Sequence, residues 1–251
     1  MKGILGELRQ ALLFLTVLPL PASAGSAQQL GRSMAYFPLV GLGLGLLLAG
    51  AHQVLLIFFP PSVGALLVLL LLIYATGALH LDGVADTADG MYGIRDRASR
   101  LRIMKDSRVG AMGVVALLCL FLLKVMTLSV IPSAMRWQVL IALPVVGRWM
   151  MVALAVLAPY ARSEGGTGSV FVEGVGRREL VLATLILAAV LLGFFRLWGL
   201  TLLAALCLAV FLLERYFKAR LGGVTGDILG AVCEWSEAVF LLLCSSAYFH
   251  R

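Results

Sequence analysis

Seven long apolar stretches constrain this chain of 251 residues more than any other feature of its sequence. Each approaches the roughly twenty residues that a helix needs to cross about 30 Å of hydrocarbon. Because 61% of the residues are hydrophobic and 13% are charged, a soluble core of this length could not bury all the apolar surface. We therefore predict an all-α, polytopic integral membrane helical bundle that forms one membrane-embedded domain over residues 1–251. The predicted spans cover residues 36–58, 62–79, 109–131, 137–157, 179–195, 198–213 and 226–249.

The number of spans depends on the fifth and sixth stretches, which are short and separated by little more than Arg196. These two could form a tight helical hairpin, and six spans is the fallback count. The amino-terminal stretch 11–20 follows Lys2 and Arg9 as in a signal peptide, and residues 22–24 resemble a cleavage site. Because the stretch is short and ends in Pro19 and Pro21, we expect instead an uncleaved amphipathic helix that is interfacial or re-entrant.

The orientation of the bundle follows from the distribution of Lys and Arg, which favours the cytoplasmic side. With the amino terminus in the cytoplasm, fifteen of the twenty cations lie in cytoplasmic segments. In the same topology all thirteen acids lie in cytoplasmic loops or at the cytoplasmic ends of spans. We therefore expect a protein of the cytoplasmic (inner) membrane whose polar, acid-bearing face lies in the cytoplasm.

The net charge of +7 would suit nucleic acid if the cations formed one soluble patch. They are instead distributed between apolar stretches, which favours membrane lipid and anionic substrates and argues against nucleic-acid binding. A juxtamembrane basic group is predicted to meet anionic lipid headgroups. It consists of Arg95, Arg97, Arg100 and Arg102. The four cysteines lie inside apolar stretches without metal-binding spacing, so no disulfide framework is implied.

The segment 80–90, HLDGVADTADG, carries the strongest chemical signal and directly follows an apolar stretch. Asp82, Asp86 and Asp89 stand at i, i+4 and i+7, so they fall within roughly 60° of one another on one helical face. Such carboxylates repel one another beside a membrane unless cations neutralise them, most simply one or two Mg²⁺. The small residues around each acid leave room for a ligand. His80 is either a general base or a partner that holds a carboxylate.

The segment 104–113, MKDSRVGAMG, places a lysine and an arginine just before the third predicted span. Lys105 as a point charge and Arg108 as a bidentate fork are predicted to bind phosphate. The alternative is a basic cluster that meets anionic lipid. Arg162, in a Pro-Tyr-Ala-Arg segment, is a further candidate substrate ligand, and the glycine run 165–168 after it is either a lid or a plain connector.

The segment 222–234, GGVTGDILGAVCE, opens the last predicted span. Glycines before a helix let backbone N–H groups approach an anion, so Gly223 and Gly226 are candidate substrate ligands. Asp227 and Glu234 stand at i and i+7 on one helical face. Carboxylates so close to hydrocarbon are costly unless they are paired or metal-bound, and we expect them to contribute to the same acidic site.

Arg148 lies inside the fourth predicted span, where an arginine needs a partner. It either binds a substrate phosphate or neutralises one of the acids. The acids of the last span could likewise be structural instead of part of the site. In that case Asp227, Glu234 or Glu237 pairs with Arg148 or Arg215 between helices.

Five motifs, in this order over nearly the whole chain, resemble the cobalamin synthase family, adenosylcobinamide-GDP ribazoletransferase: HLDGVADTADG, MKDSRVGAMG, GRW, PYAR and GGVTGDILGAVCE. The resemblance implies a Mg²⁺-dependent membrane enzyme of late coenzyme B12 assembly. Such an enzyme joins adenosylcobinamide-GDP to α-ribazole or its 5′-phosphate and releases GMP. Membrane residence also suggests association with other B12 assembly enzymes, while a homo-oligomer remains open.

The chemistry of the residues agrees with this resemblance. Transfer from a pyrophosphate to an alcohol needs metals that neutralise the phosphates, together with basic residues that stabilise the leaving group. The predicted metal ligands are Asp82, Asp86, Asp89 and Asp227. The predicted catalytic residues are Asp82, Lys105 and Arg108, with one of the carboxylates as the general base.

Three other classes of protein fit this sequence less well. A phosphotransferase that makes lipids from CDP-alcohols uses similar chemistry, but the DGxxAR part of its pattern is broken here at Asp86. A cation-coupled transporter should line a path at mid-membrane with broken helices, whereas these acids are predicted to cluster at one side. A structural scaffold would not require acids flanked by glycines.

Overall fold

The computed structural model describes residues 3–21 and 25–249, and for residues 247–249 it describes the backbone alone. The cleavage-site resemblance at residues 22–24 and the charges of Lys2 and Arg251 lie outside the described residues. The described part forms twelve α-helices, and the 3-10 turn Met34–Tyr36 joins the second to the third. The helices are α1 Ile4–Leu15, α2 Ala27–Ser33, α3 Phe37–Phe58, α4 Pro61–Ala75, α5 Leu79–Met91, α6 Arg97–Ile103, α7 Ala111–Val130, α8 Ser133–Leu157, α9 Thr167–Gly174, α10 Arg177–Phe195, α11 Leu197–Leu221 and α12 Gly226–Phe249.

The structure confirms a polytopic helical membrane protein. Among the described residues, six helices are long and apolar enough to cross a membrane, and the bent pair α4 and α5 gives a seventh if it counts as one span. The predicted hairpin around Arg196 is present, because α10 ends and α11 begins on either side of that residue. The amino-terminal stretch 11–20 overlaps the short helix α1, whose Ala11 and Leu15 are buried while Ile4 and Leu5 are exposed.

The second predicted span is wrong at its carboxyl end. The helix α4 stops at Ala75, and α5 leaves it at an angle of 92°. Gly77 and Ala78 adopt positive φ angles of 60° and 57°, a conformation that interrupts the helical hydrogen-bond ladder. The acidic segment is therefore on a separate helix with its own direction.

The helix α8 lies at the centre of the bundle. In its most apolar window 94% of the residues are buried, compared with 28% in α7 and in α11. The helix α3 packs closely on α8, since a Cβ at Gly41 would lie 2.5 Å from the carbonyl oxygen of Pro144. Four residues further along α3, Gly45 faces Ile141, so the two helices run antiparallel.

The connections on one end of the bundle meet one another and form what we call the site face. It contains the segments 92–110, 158–176 and 222–225. The Arg97 side chain ties these segments together, because it donates hydrogen bonds of 2.7 Å to the Leu221 carbonyl and 2.6 Å to the Ala161 carbonyl. The connections 59–60 and 131–132 lie at the other end of the spans.

The sixth predicted span is also longer than expected, because α11 continues from residue 213 to Leu221. Its last two turns are polar on one side, where Glu214 faces the Lys218 ammonium at 3.4 Å. An i, i+4 pair of this kind supports a helix beyond the apolar stretch. A prediction based on hydropathy ends where the apolar stretch ends, although the helix does not.

Candidate active site

The carboxylates of α5 are positioned by close packing of α5 on α12. Gly83 meets the backbone of Asp227, and a Cβ at Gly230 would lie 3.3 Å from the Cα of His80. Any larger residue at Gly83 would separate the two helices. The glycine was expected to leave room for a ligand, and the structure instead uses it to bring Asp227 beside the acidic segment.

Asp89 is bound by the amino-terminal end of α7. Its carboxylate accepts hydrogen bonds from the Gly110 N–H at 2.7 Å and from the Gly113 N–H at 2.9 Å. The unpaired N–H groups and the dipole at a helix amino terminus stabilise a negative charge there. The charge of Asp89 is thus already compensated by the protein.

Asp227 is bound by Arg162, which the sequence had proposed as a substrate ligand. The Arg162 Nη2 atom donates to Asp227 Oδ2 at 2.7 Å, and Thr225 Oγ1 donates to the same oxygen at 3.2 Å. Both members of the ion pair remain partly accessible, with 19% and 24% of their side chains exposed. The pair therefore lies at the edge of the protein interior rather than within it.

Asp82 and Asp86 form no hydrogen bond or ion pair within the described part of the chain. The ionised groups that act on the half-buried Asp86 are three other carboxylates and one cation. They are Asp82, Asp227, Asp89 and Arg162. Asp86 thus lies in a cluster with a net negative charge, which we call the carboxylate cluster: Asp82, Asp86, Asp89 and Asp227.

The carboxylate cluster fits the donor chemistry of Mg²⁺, since it offers oxygen ligands alone and two of its members are unpaired. Over the described residues, however, no three His, Cys, Asp or Glu side chains are already close enough to hold a metal ion. Asp89 and Asp227 are each engaged by hydrogen bonds within the protein. The Mg²⁺ site remains a prediction.

A basic cleft of about 460 Å³ lies beside the carboxylate cluster, between α6 and the segment that follows α8. Its cations are Arg97, Arg102, Lys105 and Arg162. Glu164 also lines the cleft and pairs with the exposed Lys105 ammonium at 3.1 Å. The cleft brings together the predicted phosphate ligand Lys105 and the predicted substrate ligand Arg162. It also contains Arg97 and Arg102, for which the sequence predicts contact with lipid.

Arg108, another predicted phosphate ligand, does not line the basic cleft. Its guanidinium donates to Asp106 at 2.7 Å and at 3.0 Å, and 87% of its side chain is exposed. These hydrogen bonds hold the pKa of Asp106 down to about 2. The proposed role of Arg108 is untested, and its place in this structure is outside the cleft.

The lipid assignment of the basic group in segment 95–102 is wrong for Arg100. This side chain is buried and donates to the carbonyls of Met91 at 2.7 Å and Gly93 at 2.9 Å. It therefore closes the connection between α5 and α6. The sequence shows that a residue is charged but does not show where its side chain points. A buried structural arginine and an exposed arginine therefore look alike in the sequence.

Arg148 is fully buried and pairs with Glu237, away from the carboxylate cluster. Of the two predicted roles of Arg148, the structure therefore supports neutralisation of an acid. It gives no support to phosphate binding by this residue. Glu234 and Glu237 also accept hydrogen bonds from the Lys124 ammonium at 2.5 Å and 2.7 Å. Lys124 was missed, although a lysine inside an apolar span signals a buried partner.

The two candidate glycines of the last motif pack against backbone. Gly223 meets the carbonyl of Pro159, while the Val224 N–H donates to that carbonyl at 2.9 Å. A Cβ at Gly226 would lie 3.5 Å from the Cα of Gly168. These contacts join the segment after α8 to the start of α12, and so they place Arg162 against Asp227.

An apolar groove of about 750 Å³ opens beside Asp82 where α4, α5 and α7 meet. Its walls are aliphatic and aromatic side chains, and Asp82 is the charged residue among them. The bend between α4 and α5 creates this groove, because Gly77 and Ala78 line it. His80, by contrast, is only 2% exposed, and neither of its ring nitrogens is bonded to a described residue. Because it is buried, it lies in the protein interior and not at the surface of the groove.

Comparison with known proteins gives a consistent result over nearly the whole chain. Residues 7–245 match a family model described as Cobalamin-5-phosphate synthase. A protein of Geotalea daltonii named adenosylcobinamide-GDP ribazoletransferase is 42% identical over 92% of this chain and 94% of its own length. A protein of the same name from Desulforamulus reducens is 41% identical over 94% of this chain and 96% of its own length. Another from Chlorobium phaeobacteroides is 41% identical over 98% of this chain and 100% of its own length. No solved structure gives a significant match.

Proposed function

The chain belongs to the cobalamin-5-phosphate synthase family, and we therefore propose that it acts as an adenosylcobinamide-GDP ribazoletransferase. It transfers the phosphocobinamide group of adenosylcobinamide-GDP to α-ribazole or its 5′-phosphate and releases GMP. The product is adenosylcobalamin or its 5′-phosphate, which makes this a late step of coenzyme B12 assembly.

One observation carries the assignment of the site: the ion pair between Arg162 and Asp227 joins the carboxylate cluster to the basic cleft. A pyrophosphate needs positive charge along its oxygens, and its reacting phosphorus needs an attacking oxygen in line with the leaving group. The cleft supplies cations for the GMP portion. The carboxylates supply the oxygen ligands for a divalent cation.

Asp82 and Asp86 are the ligands best placed to hold Mg²⁺, because they have no other partner in the described part of the chain. When bound, Mg²⁺ would neutralise phosphate oxygens and lower the barrier to attack at phosphorus. Lys105, Arg102 and Arg162 bind the phosphate of the GMP portion through charge-assisted hydrogen bonds.

The transfer itself requires one bond to form and one to break. The ribazole hydroxyl oxygen bonds to the phosphorus next to cobinamide, and that phosphorus loses its bond to the oxygen that bridges to GMP. The hydroxyl proton passes to a carboxylate of the cluster, for which Asp82 is the candidate. The apolar groove places hydrophobic surface beside Asp82, which suits the aromatic base of the same ribazole.

The experiment that tests this function uses the full-length protein in nanodiscs with Mg²⁺, adenosylcobinamide-GDP and α-ribazole. We expect stoichiometric formation of GMP and of the joined corrinoid, measured by liquid chromatography, and no product without α-ribazole. Release of GMP with water as the acceptor at an equal rate would contradict a transferase.

The orientation in the membrane is also part of the proposal: the site face lies in the cytoplasm and the membrane is the bacterial inner membrane. The substrates are then taken from the compartment where nucleotides are available.

Cysteine labelling tests this orientation. Ile94 on the site face and Ser133 at the other end of the spans are both exposed. In a background with Cys119 and Cys207 replaced by serine, Ile94→Cys should react with an impermeant maleimide only in inverted vesicles. Ser133→Cys should react only in intact cells, and the opposite pattern would reverse the topology.

A further inference from the structure

We propose that Arg162 is an exchangeable counter-ion: it binds Asp227 before substrate arrives, and it transfers to a substrate phosphate when a divalent cation takes over Asp227. The proposal rests on the proposed function for the identity of the phosphate compound. It concerns how the two halves of the site communicate, which the reaction alone does not determine.

The ion pair with Asp227 uses only one of the three nitrogens of the Arg162 guanidinium. Nη2 alone reaches the carboxylate, at 2.7 Å, and its contact with the Met104 carbonyl is a long 3.4 Å. The Tyr160 hydroxyl is a further side-chain partner of the guanidinium. The Nε atom is buried and has no hydrogen-bond partner within the described residues. An arginine offers five N–H donors in a planar fork that matches two oxygens at once, so this one is arranged for a further acceptor.

The position of Arg162 determines which acceptor that is. Its side chain lines the basic cleft together with Arg102 and Lys105, so an anion drawn there by those cations meets the guanidinium. A phosphate oxygen is the chemical group that this fork and these charges favour. Because Nε is buried in the present position, the guanidinium must turn toward the cleft to present its fork to a phosphate, and this turn releases Asp227.

The charges of the carboxylate cluster supply the other half of the exchange. Asp89 is compensated by the N–H groups of α7, and Asp227 is compensated by Arg162, while Asp82 and Asp86 are not compensated. A divalent cation drawn to Asp82 and Asp86 therefore competes with Arg162 for Asp227, because two cations at one carboxylate repel each other. Linkage then requires that phosphate binding and cation binding strengthen each other by the same factor.

The test measures binding rather than turnover, with Mn²⁺ as a paramagnetic probe for the Mg²⁺ site and GMP as the phosphate compound. In wild-type protein in detergent, GMP should increase Mn²⁺ affinity measured by electron paramagnetic resonance. In Arg162→Met, Mn²⁺ affinity without GMP should rise about fivefold, the size of one partly exposed ion pair. The increase caused by GMP should shrink by a similar factor.

The matched control is Lys105→Met, which removes a cation of the same cleft that pairs with Glu164 instead of Asp227. It should weaken GMP binding and leave Mn²⁺ affinity without GMP unchanged. If Arg162→Met does not fold, Asp227→Asn tests the same exchange, because releasing Arg162 should raise GMP affinity in the absence of any divalent cation.

Unchanged or weaker Mn²⁺ binding in Arg162→Met, or an undiminished effect of GMP, would overturn the counter-ion exchange. This outcome is separable from failure of the proposed function. The latter would appear as absence of GMP release by the wild-type protein, whatever its Mn²⁺ binding.

Discussion

Asp86→Asn should reduce GMP release by at least about 10²-fold while leaving the protein as stable as wild type or more stable. The loss follows because an uncharged amide cannot hold a divalent cation that neutralises the phosphates. The stability follows because Asp86 lies among three other carboxylates and has no bond to lose within the described part of the chain. Turnover and the midpoint of thermal unfolding should both be measured in nanodiscs.

Two further substitutions sharpen this prediction. Asp89→Asn should lose activity and stability together, because its carboxylate binds two N–H groups of α7. Glu173→Gln, a change of the same kind at an exposed position on α9, should alter neither quantity. Near-normal turnover in Asp86→Asn would remove Asp86 from the metal site, and a large fall in its unfolding midpoint would show that its role is structural.

Lys124→Met should destabilise the protein by about 3–5 kcal/mol, the usual cost of breaking a buried ion pair from one side. The Lys124 side chain is 5% exposed and lies between Glu234 and Glu237 on α12. Without it, Arg148 remains for Glu237, and Glu234 loses its bonded partner. Two carboxylates would then share one cation in the interior of the bundle.

Unfolding in detergent, followed by circular dichroism, measures this effect. Lys105→Met is the matched control, since its ion pair with Glu164 is exposed and such pairs contribute about 0–1 kcal/mol. The double variant Lys124→Met/Glu234→Gln should be more stable than Lys124→Met alone, because it removes the unpaired charge as well. Equal stability of Lys124→Met and wild type would show that the network contributes nothing to the fold.

The sequence predicted the long helices well because crossing hydrocarbon is a local requirement. A segment must satisfy its own backbone hydrogen bonds and present apolar side chains over about twenty residues, and both properties can be read along the chain. The predicted starts and ends of α3, α7 and α12 consequently agree with the structure to within two residues. The break at Gly77 and Ala78 was missed, since the same residues also occur within straight helices.

The sequence also identified the residues of the carboxylate cluster, because acids beside an apolar stretch are expensive and therefore informative wherever they occur. It could not determine which partner each charge has. The sequence predicts substrate binding for both Arg148 and Arg162. In the structure Arg148 pairs with Glu237 in the interior, whereas Arg162 pairs with Asp227 at the edge of the site.

What the sequence by itself determined is the membrane fold, the acidic and basic segments and, through five motifs, the family. Only the tertiary structure decided that Gly83 brings Asp227 to α5, that Arg162 rather than Arg108 lines the cleft, and that Lys124 pairs with acids 110 and 113 positions away. The physical reason is the sequence separation over which each interaction acts. Hydrophobic and helical preferences act between near neighbours, whereas an ion pair depends on distances that exist only after helices from distant parts of the chain have packed.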